Sequence, residues 1–170
     1  MKSENQMREI KVDKIVLNIG TKGETERVKK AVSLLTAISG RKVVETTAKK
    51  RLAAWKLRPG LPIGSKVTLR GKFAQELLTR LLAARDNKLK LKSFTENGFS
   101  FGIPEYIDIE GVKYDPKIGI IGLEANVTLK RAGYRIKMRR LLRKQIHRNH
   151  TITKEDAIKF AKEKFGVEAK

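Results

Sequence analysis

Cysteine is absent from the 170 residues. Its absence excludes a disulfide scaffold, thiolate nucleophiles, Cys-ligated zinc and iron–sulfur clusters. Histidine is almost absent, with only His147 and His150, and there are four prolines and one tryptophan. No apolar run approaches the roughly 20 residues that span a bilayer. The opening stretch MKSENQMREIKV has no apolar core of the signal-peptide kind. Acids are scarce as well: 18 Asp plus Glu stand against 39 Lys plus Arg, a formal charge of +21. What is present suffices for a core, since 40% of the residues are hydrophobic, and a chain this long can bury roughly 70% of its unfolded surface. The expectation is a soluble protein of a reduced compartment, built as one domain spanning 1–170, with a polyanionic partner.

The charge is unevenly placed. Arg41 to Lys72 holds ten basic residues and one acid, Glu45, and Lys130 to Arg148 holds nine basic residues and no acid. Glu105 to Glu124 reverses the sign, with five acids against Lys113 and Lys117. One basic block alone is ordinary for a solvated face; two acid-poor blocks in one small domain favour a bound polyanion. A membrane surface requires an amphipathic helix with a clean apolar face. Glycine, proline or strand-like alternation interrupts both blocks, so nucleic acid is favoured and no membrane partner is expected.

Hydrophobic periodicity outlines the elements. Ile10 to Gly20 alternates as a strand, and Val28, Ala31, Val32, Leu35 and Ile38 recur at helical spacing before Ser39 and Gly40. Val43 to Thr47 forms a short strand, and 48–63, with Pro59, Gly60 and Pro62, a long exposed basic loop. Lys66 to Arg70 is a strand with Val67 and Leu69 on one side and Lys66, Thr68 and Arg70 on the other. A helix carries Phe73, Leu77, Leu78, Leu81 and Leu82 to Arg85; Lys88 to Lys92 alternates as a strand; Phe94 to Phe101 loops back into the sheet at Ser100 to Ile103. After an irregular acidic connection, Leu123 to Leu129 is a strand that Ala132 and Gly133 turn. Tyr134, Ile136 and Met138 are expected to return as its antiparallel partner. A basic segment, 139–150, precedes a terminal helix from Lys154 to Phe165, opened by a Thr153–Asp156 capping box and closed by Gly166. The fold class is α+β, a mainly antiparallel sheet with helices on one face and long basic loops.

Catalytic chemistry finds little support. His147 and His150 lack a nearby carboxylate or thiol to complete a metal site; as surface histidines they are better suited to touching phosphate. Asp108 and Glu110, on one face of a strand, could hold Mg²⁺ for a nuclease, but no base or nucleophile accompanies them. Gly20-x-x-Gly23 could place backbone N–H groups on phosphate or serve as a plain turn, and the second is favoured. No nucleotide or cofactor motif is present. The protein is expected to be no enzyme and to carry no cofactor or metal.

The segment TTAKKRLAAWKLRPGLPIGSKVTLRG, Thr46 to Gly71, is the most informative. Its cations attract phosphate without sequence preference, and Trp55 either stacks on an unpaired base or anchors the loop in the core. Within it and around it, Val16-Leu-Asn-Ile-Gly20, Ser39-Gly-Arg-Lys42, Ala48-Lys-Lys50 and Pro62-Ile-Gly-Ser-Lys-Val-Thr-Leu-Arg-Gly71 resemble the L-five family of large-subunit ribosomal proteins. Phe101-Gly-Ile-Pro-Glu105, Tyr114-Asp-Pro116 and Gly133-Tyr-Arg135 look like its archaeal and eukaryotic branch.

The resemblance implies a structural protein of the cytoplasmic ribosome that binds 5S rRNA in the central protuberance. It further implies contacts to large-subunit rRNA, peptidyl-site tRNA, other central-protuberance proteins and the small-subunit protein S-thirteen. Beside Thr47, Lys49, Lys50, Lys66 and Arg70, expected there from the basic loop and the strand face, matching positions place Asn18, Arg41, Trp55 and Thr68 on 5S rRNA. They place Arg51, Lys56, Arg58, Pro59 and Gly60 on the tRNA-approaching loop. Arg131, Arg135, Arg139, Arg140, Arg143 and Lys144 are then expected on further rRNA, and Glu105, Asp108 and Glu110 on a basic protein. Three positions depart from the bacterial pattern: Arg41 stands for glutamine, Trp55 for phenylalanine and Arg51 for a small hydroxyl residue. The first two keep RNA-binding chemistry, as a cation and a stacking ring.

Overall fold

Alternation at Ile15, Leu17 and Ile19 forms the central strand of the sheet, β1 (Lys11–Gly20), with all three side chains buried. The structure is a computed structural model describing residues 5–169; residues 1–4, part of the stretch read for a signal peptide, and Lys170 lie outside it. In chain order β1 is followed by α1 (Thr25–Ser39), β2 (Val44–Thr47), β3 (Pro62–Leu69), α2 (Lys72–Ala83), β4 (Lys88–Leu89), β5 (Phe94–Thr95) and β6 (Gly98–Ile103). Then come β7 (Leu123–Lys130), α3 (Arg135–Met138), α4 (Lys154–Phe165) and β8 (Glu168–Ala169). Six strands make one sheet in the order β2-β3-β1-β7-β6-β5, every neighbouring pair antiparallel. The fold is α+β, as expected.

Period-two alternation puts one side of this sheet in the core. Leu17, Val67, Phe101, Val127 and Leu129 meet Leu34 and Leu35 of α1, Leu77, Leu78 and Leu81 of α2, and Phe160 of α4, all in one apolar cluster. Each fully buried Leu or Phe contributes roughly 1.5–3 kcal/mol, so helix-side burial fixes which face of the sheet is inside. Helix ends agree with local chemistry. Gly40 and Gly166 take left-handed φ values of 56° and 64° at the C-termini of α1 and α4. The Thr153 hydroxyl accepts from the Asp156 N–H while the Asp156 carboxylate accepts from the Thr153 N–H, a complete capping box with Asp in place of Glu.

Five expectations need correction. No strand returns after Gly133: Arg135–Met138 is a helical turn, and both edges of β7 are already paired, with β1 and β6. β3 begins at Pro62 rather than Lys66, because proline is tolerated as the first residue of a strand, which shortens the loop. The strand expected over 88–92 is two residues long and pairs in parallel with β8 outside the main sheet, and Phe94 to Ile103 is a tight β5–β6 hairpin turned by Asn97 at φ 65°. Asp108 ends a 3-10 turn, Tyr106–Asp108, so Asp108 and Glu110 share no strand face.

Candidate nucleic-acid interface

Where helices cover one side of the sheet, the other stays open. Register aligns its outward side chains in rows. Thr68 lies opposite Val16, Val16 opposite Asn126, and Asn126 opposite Ser100. Beside that row Lys66 faces Val44 on one flank and Asn18 on the other, and Asn18 faces Glu124. Lys14 lies opposite Thr128. Lys66, Thr68, Asn126 and Ser100 are exposed, and Asn18 and Lys14 are half-buried. The result is a shallow polar surface with hydroxyls and amides between cations, which suits ribose and phosphate more than a small molecule. Asn18, Lys66 and Thr68, separated by half a hundred residues in sequence, are thereby brought together.

One acid organises the cations at the end of this surface. The β1–β7 register slips between Val12 and Lys14, leaving Asp13 as the extra residue of a bulge. Its side chain is 7% exposed, with Lys130 Nζ at 2.8 Å and Arg70 Nη1 at 3.3 Å from the same Oδ1. Both cations keep about half their surface, at 44% and 56% exposure. Asp13 therefore fixes where two positive side chains point while leaving them accessible. Period-two reading alone hides this residue, because a bulge breaks the period.

The basic loop is a miniature hairpin. Leu52 and Leu57 exchange backbone hydrogen bonds at 3.0 and 3.2 Å, and Ala53–Trp55 turns between them, with Lys56 at φ 53°. At its base the Ala48 N–H donates to Leu61 O (2.8 Å) and the Gly60 N–H to Ala48 O (2.9 Å). Leu57, 7% exposed, anchors the loop, whereas Trp55 is 70% exposed; the core-anchor reading of the tryptophan is overturned. Leu57 and Leu61 approach Gly23, at φ 90°, so closely that a Cβ there would lie 3.1 Å from each. The Gly20-x-x-Gly23 turn is thus the seat of the loop. Arg51, Lys56, Arg58, Pro59 and Gly60 are exposed around the tip, as are Lys49, Lys50, Thr47 and Arg41 before it.

The motif Pro62 to Gly71 now has a physical basis. A Cβ on Gly64 would meet the Ile19 carbonyl oxygen at 2.5 Å and Thr46 Oγ1 at 3.1 Å, so only glycine lets β1, β2 and β3 close up there. Gly71, at φ 76° and ψ −158°, turns the chain from β3 into α2.

Further along, Arg135, Arg139, Arg140, Arg143 and Lys144 are exposed. Arg131 is different: its side chain is 11% exposed and donates to Asp156 Oδ2 at 3.0 Å and to Thr151 O at 3.4 Å. Burial pushes the Asp156 carboxyl up, but hydrogen bonds from Thr153, with Arg131 and Lys159 nearby, outweigh it and hold the group below its ordinary value. His150 also turns inward, with Nε2 2.8 Å from Ala132 O and its ring edge-on to Tyr134. His147 Nδ1 accepts from the Asn149 N–H at 3.3 Å. Among the described residues no three His, Cys, Asp or Glu side chains are grouped to hold a metal, and no helix is long and apolar enough to cross a membrane. Glu105, Asp108 and Glu110 are exposed, and among the described residues their carboxylates form no ion pair; Glu110 O accepts from the Arg80 guanidinium.

Comparison with known proteins gives two family matches and several relatives that cover nearly the whole chain. Residues 5–58 match the family profile described as ribosomal protein L5, and residues 62–160 match the profile for the C-terminus of the same ribosomal family. The chain is 52% identical to the large ribosomal subunit protein uL5 of Nanoarchaeum equitans, over 97% of this chain and 98% of that protein. It is 46% identical to the uL5 protein of Archaeoglobus fulgidus, over 97% and 92% of the two chains. Against the uL5 protein of Sulfurisphaera tokodaii the identity is 44%, over 96% and 93%.

Proposed function

Since the chain belongs to the L5 family of large-subunit ribosomal proteins, a structural component of the ribosome rather than an enzyme, we propose that its open sheet face and basic loop bind 5S rRNA. The carrying observation is the row arrangement of Asn18, Lys66 and Thr68 on the uncovered side of the sheet. Lys66 and Arg70 neutralise phosphates, Thr68 and Asn18 hydrogen-bond ribose, and Trp55 stacks on an unpaired base. Arg41, Thr47, Lys49 and Lys50 extend the same contact. The loop tip, Arg51 and Lys56 to Gly60, reaches peptidyl-site tRNA, and the exposed cations from Arg135 to Lys144 meet large-subunit rRNA. Arg131, committed to Asp156, supports that segment from within. Exposed Glu105, Asp108 and Glu110 offer an acidic surface to a basic ribosomal protein, either in the central protuberance or, as S-thirteen, in the small subunit.

The test compares 5S rRNA with an unrelated structured RNA of equal length over a range of salt. With about six phosphates neutralised, the log–log slope is expected near −4 to −5, at roughly 0.7–0.9 per contact. Lys66→Met should reduce the slope by about 0.7–0.9. Equal affinity for both RNAs would refute the specific reading.

A further inference from the structure

The segment between β7 and α4 is built, with both ends held. The Tyr134 hydroxyl accepts from the Ile152 N–H at 3.1 Å and lies 3.2 Å from both Asn97 Oδ1 and His150 O, either of which can take its proton. Arg131 ties the start of the segment to Thr151 and Asp156 near its end. Within it the Lys144 N–H donates to Ile136 O at 3.2 Å, folding the chain back on itself. This arrangement borders a half-open recess of about 600 Å³ against the β5–β6 turn. Lys137, Arg143 and Lys144 supply its charge; Asn97, Gln145 and Thr151 supply polar atoms; Ile146 supplies an apolar wall. No acid lines it among the described residues.

The volume falls within the range of small-molecule sites, roughly 300–1,000 Å³, and is large for a phosphate group alone. Three cations match an anion, while two carboxamides match the mixed donor and acceptor edge of a base. Asn97 is the fixed element. Its backbone N–H and carbonyl oxygen are tied to Ile152 O and the Leu129 N–H, and its Oδ1 faces Tyr134. Its NH₂ group makes no hydrogen bond among the described residues and remains free to donate. Arg143 offers a guanidinium plane for stacking in a cavity without an aromatic ring. We infer that this recess receives one unstacked nucleotide of an RNA strand, phosphate on the lysines and base edge on Asn97 and Gln145. The inference rests on the reading of the protein as an rRNA binder, but concerns a site separate from the sheet face.

The experiment measures binding of the full chain to two RNA hairpins, identical except for a one-nucleotide bulge, by fluorescence anisotropy. Wild type is expected to favour the bulged hairpin by roughly five- to tenfold, within the stacking worth of one base. Asn97→Gly, which keeps the positive φ without strain, and Asn97→Asp should bring that ratio to about one. Asn149→Asp makes the same charge change at an exposed position outside the recess and should weaken both hairpins equally. The unbulged hairpin serves as the internal control for any general loss of charge or folding. A wild-type ratio of one, or a preference unchanged in both Asn97 variants, overturns the proposal. So does saturable binding of adenosine monophosphate without a bulge preference, which would assign the recess to free nucleotides. Failure of the wider reading looks different: 5S rRNA and the control RNA bind alike.

Discussion

Replacing Trp55 with alanine separates recognition from stability. The indole is 70% exposed on the loop tip, so the folded state loses little packing, and stability should change by no more than about 0.5 kcal/mol. If the ring stacks on a base, affinity for 5S rRNA falls by roughly 1–3 kcal/mol, about 5- to 150-fold. The salt slope should not move, because no cation is removed. Trp55 is the only tryptophan in the chain, so its own fluorescence reports directly: stacking quenches it on RNA addition. Trp55→Phe should recover most of the affinity. The counterpart is Leu57→Ala, 7% exposed at the base of the same loop, expected to cost roughly 2–5 kcal/mol of folding stability as a cavity. A melting-temperature drop in Trp55→Ala with affinity and slope intact, or no fluorescence change with saturating RNA, would refute the reasoning.

Asp13→Asn raises the net charge, so bare electrostatics forecasts tighter RNA binding. The bulge geometry forecasts the reverse, a loss of roughly three- to tenfold, because Arg70 and Lys130 lose their common anchor and each half-exposed pair is worth at most about 1 kcal/mol. Tighter binding would refute the positioning role. Gly64→Ala should destabilise by roughly 1–3 kcal/mol through the clash with the Ile19 carbonyl, seen as a lowered thermal midpoint; an unchanged midpoint would mean the three strands can spread. Asp156 is held below its ordinary pKa, burial working against the Thr153 hydrogen bonds and Arg131. Its contribution is therefore present above the ordinary carboxylate range and lost as pH falls through the lower folded value. Asp156→Asn should weaken that acid-side loss in pH-dependent melts and lower stability at neutral pH, since it strands the largely buried Arg131; identical acid limbs would count against the pair.

Much of the fold was legible because burial follows local period. Ile15, Leu17 and Ile19, the α2 leucines, the Thr153 capping box and Gly166 are all signals within a few residues, and each forms as expected. The returning strand at Tyr134 to Met138 was not legible. Its alternation is genuine, but a strand needs a free edge, and β7 has none. Asp108 and Glu110 failed for a similar reason: spacing of two implies one face only where the backbone is extended.

By itself the sequence determined the charge, the polyanionic partner class, the alternation of Lys66, Thr68 and Arg70, and the motifs that identify the family, because these depend on composition and short-range order. Tertiary structure alone decided which face of the sheet stays uncovered, and that Asn18 and Asn126 join Thr68 there. It also decided that Trp55 points outward while Leu57 anchors, and that Arg131 turns inward to Asp156. Those outcomes depend on which strands become neighbours and which elements cover them. Strand order and coverage arise from packing across the whole chain, and no window of residues contains that information.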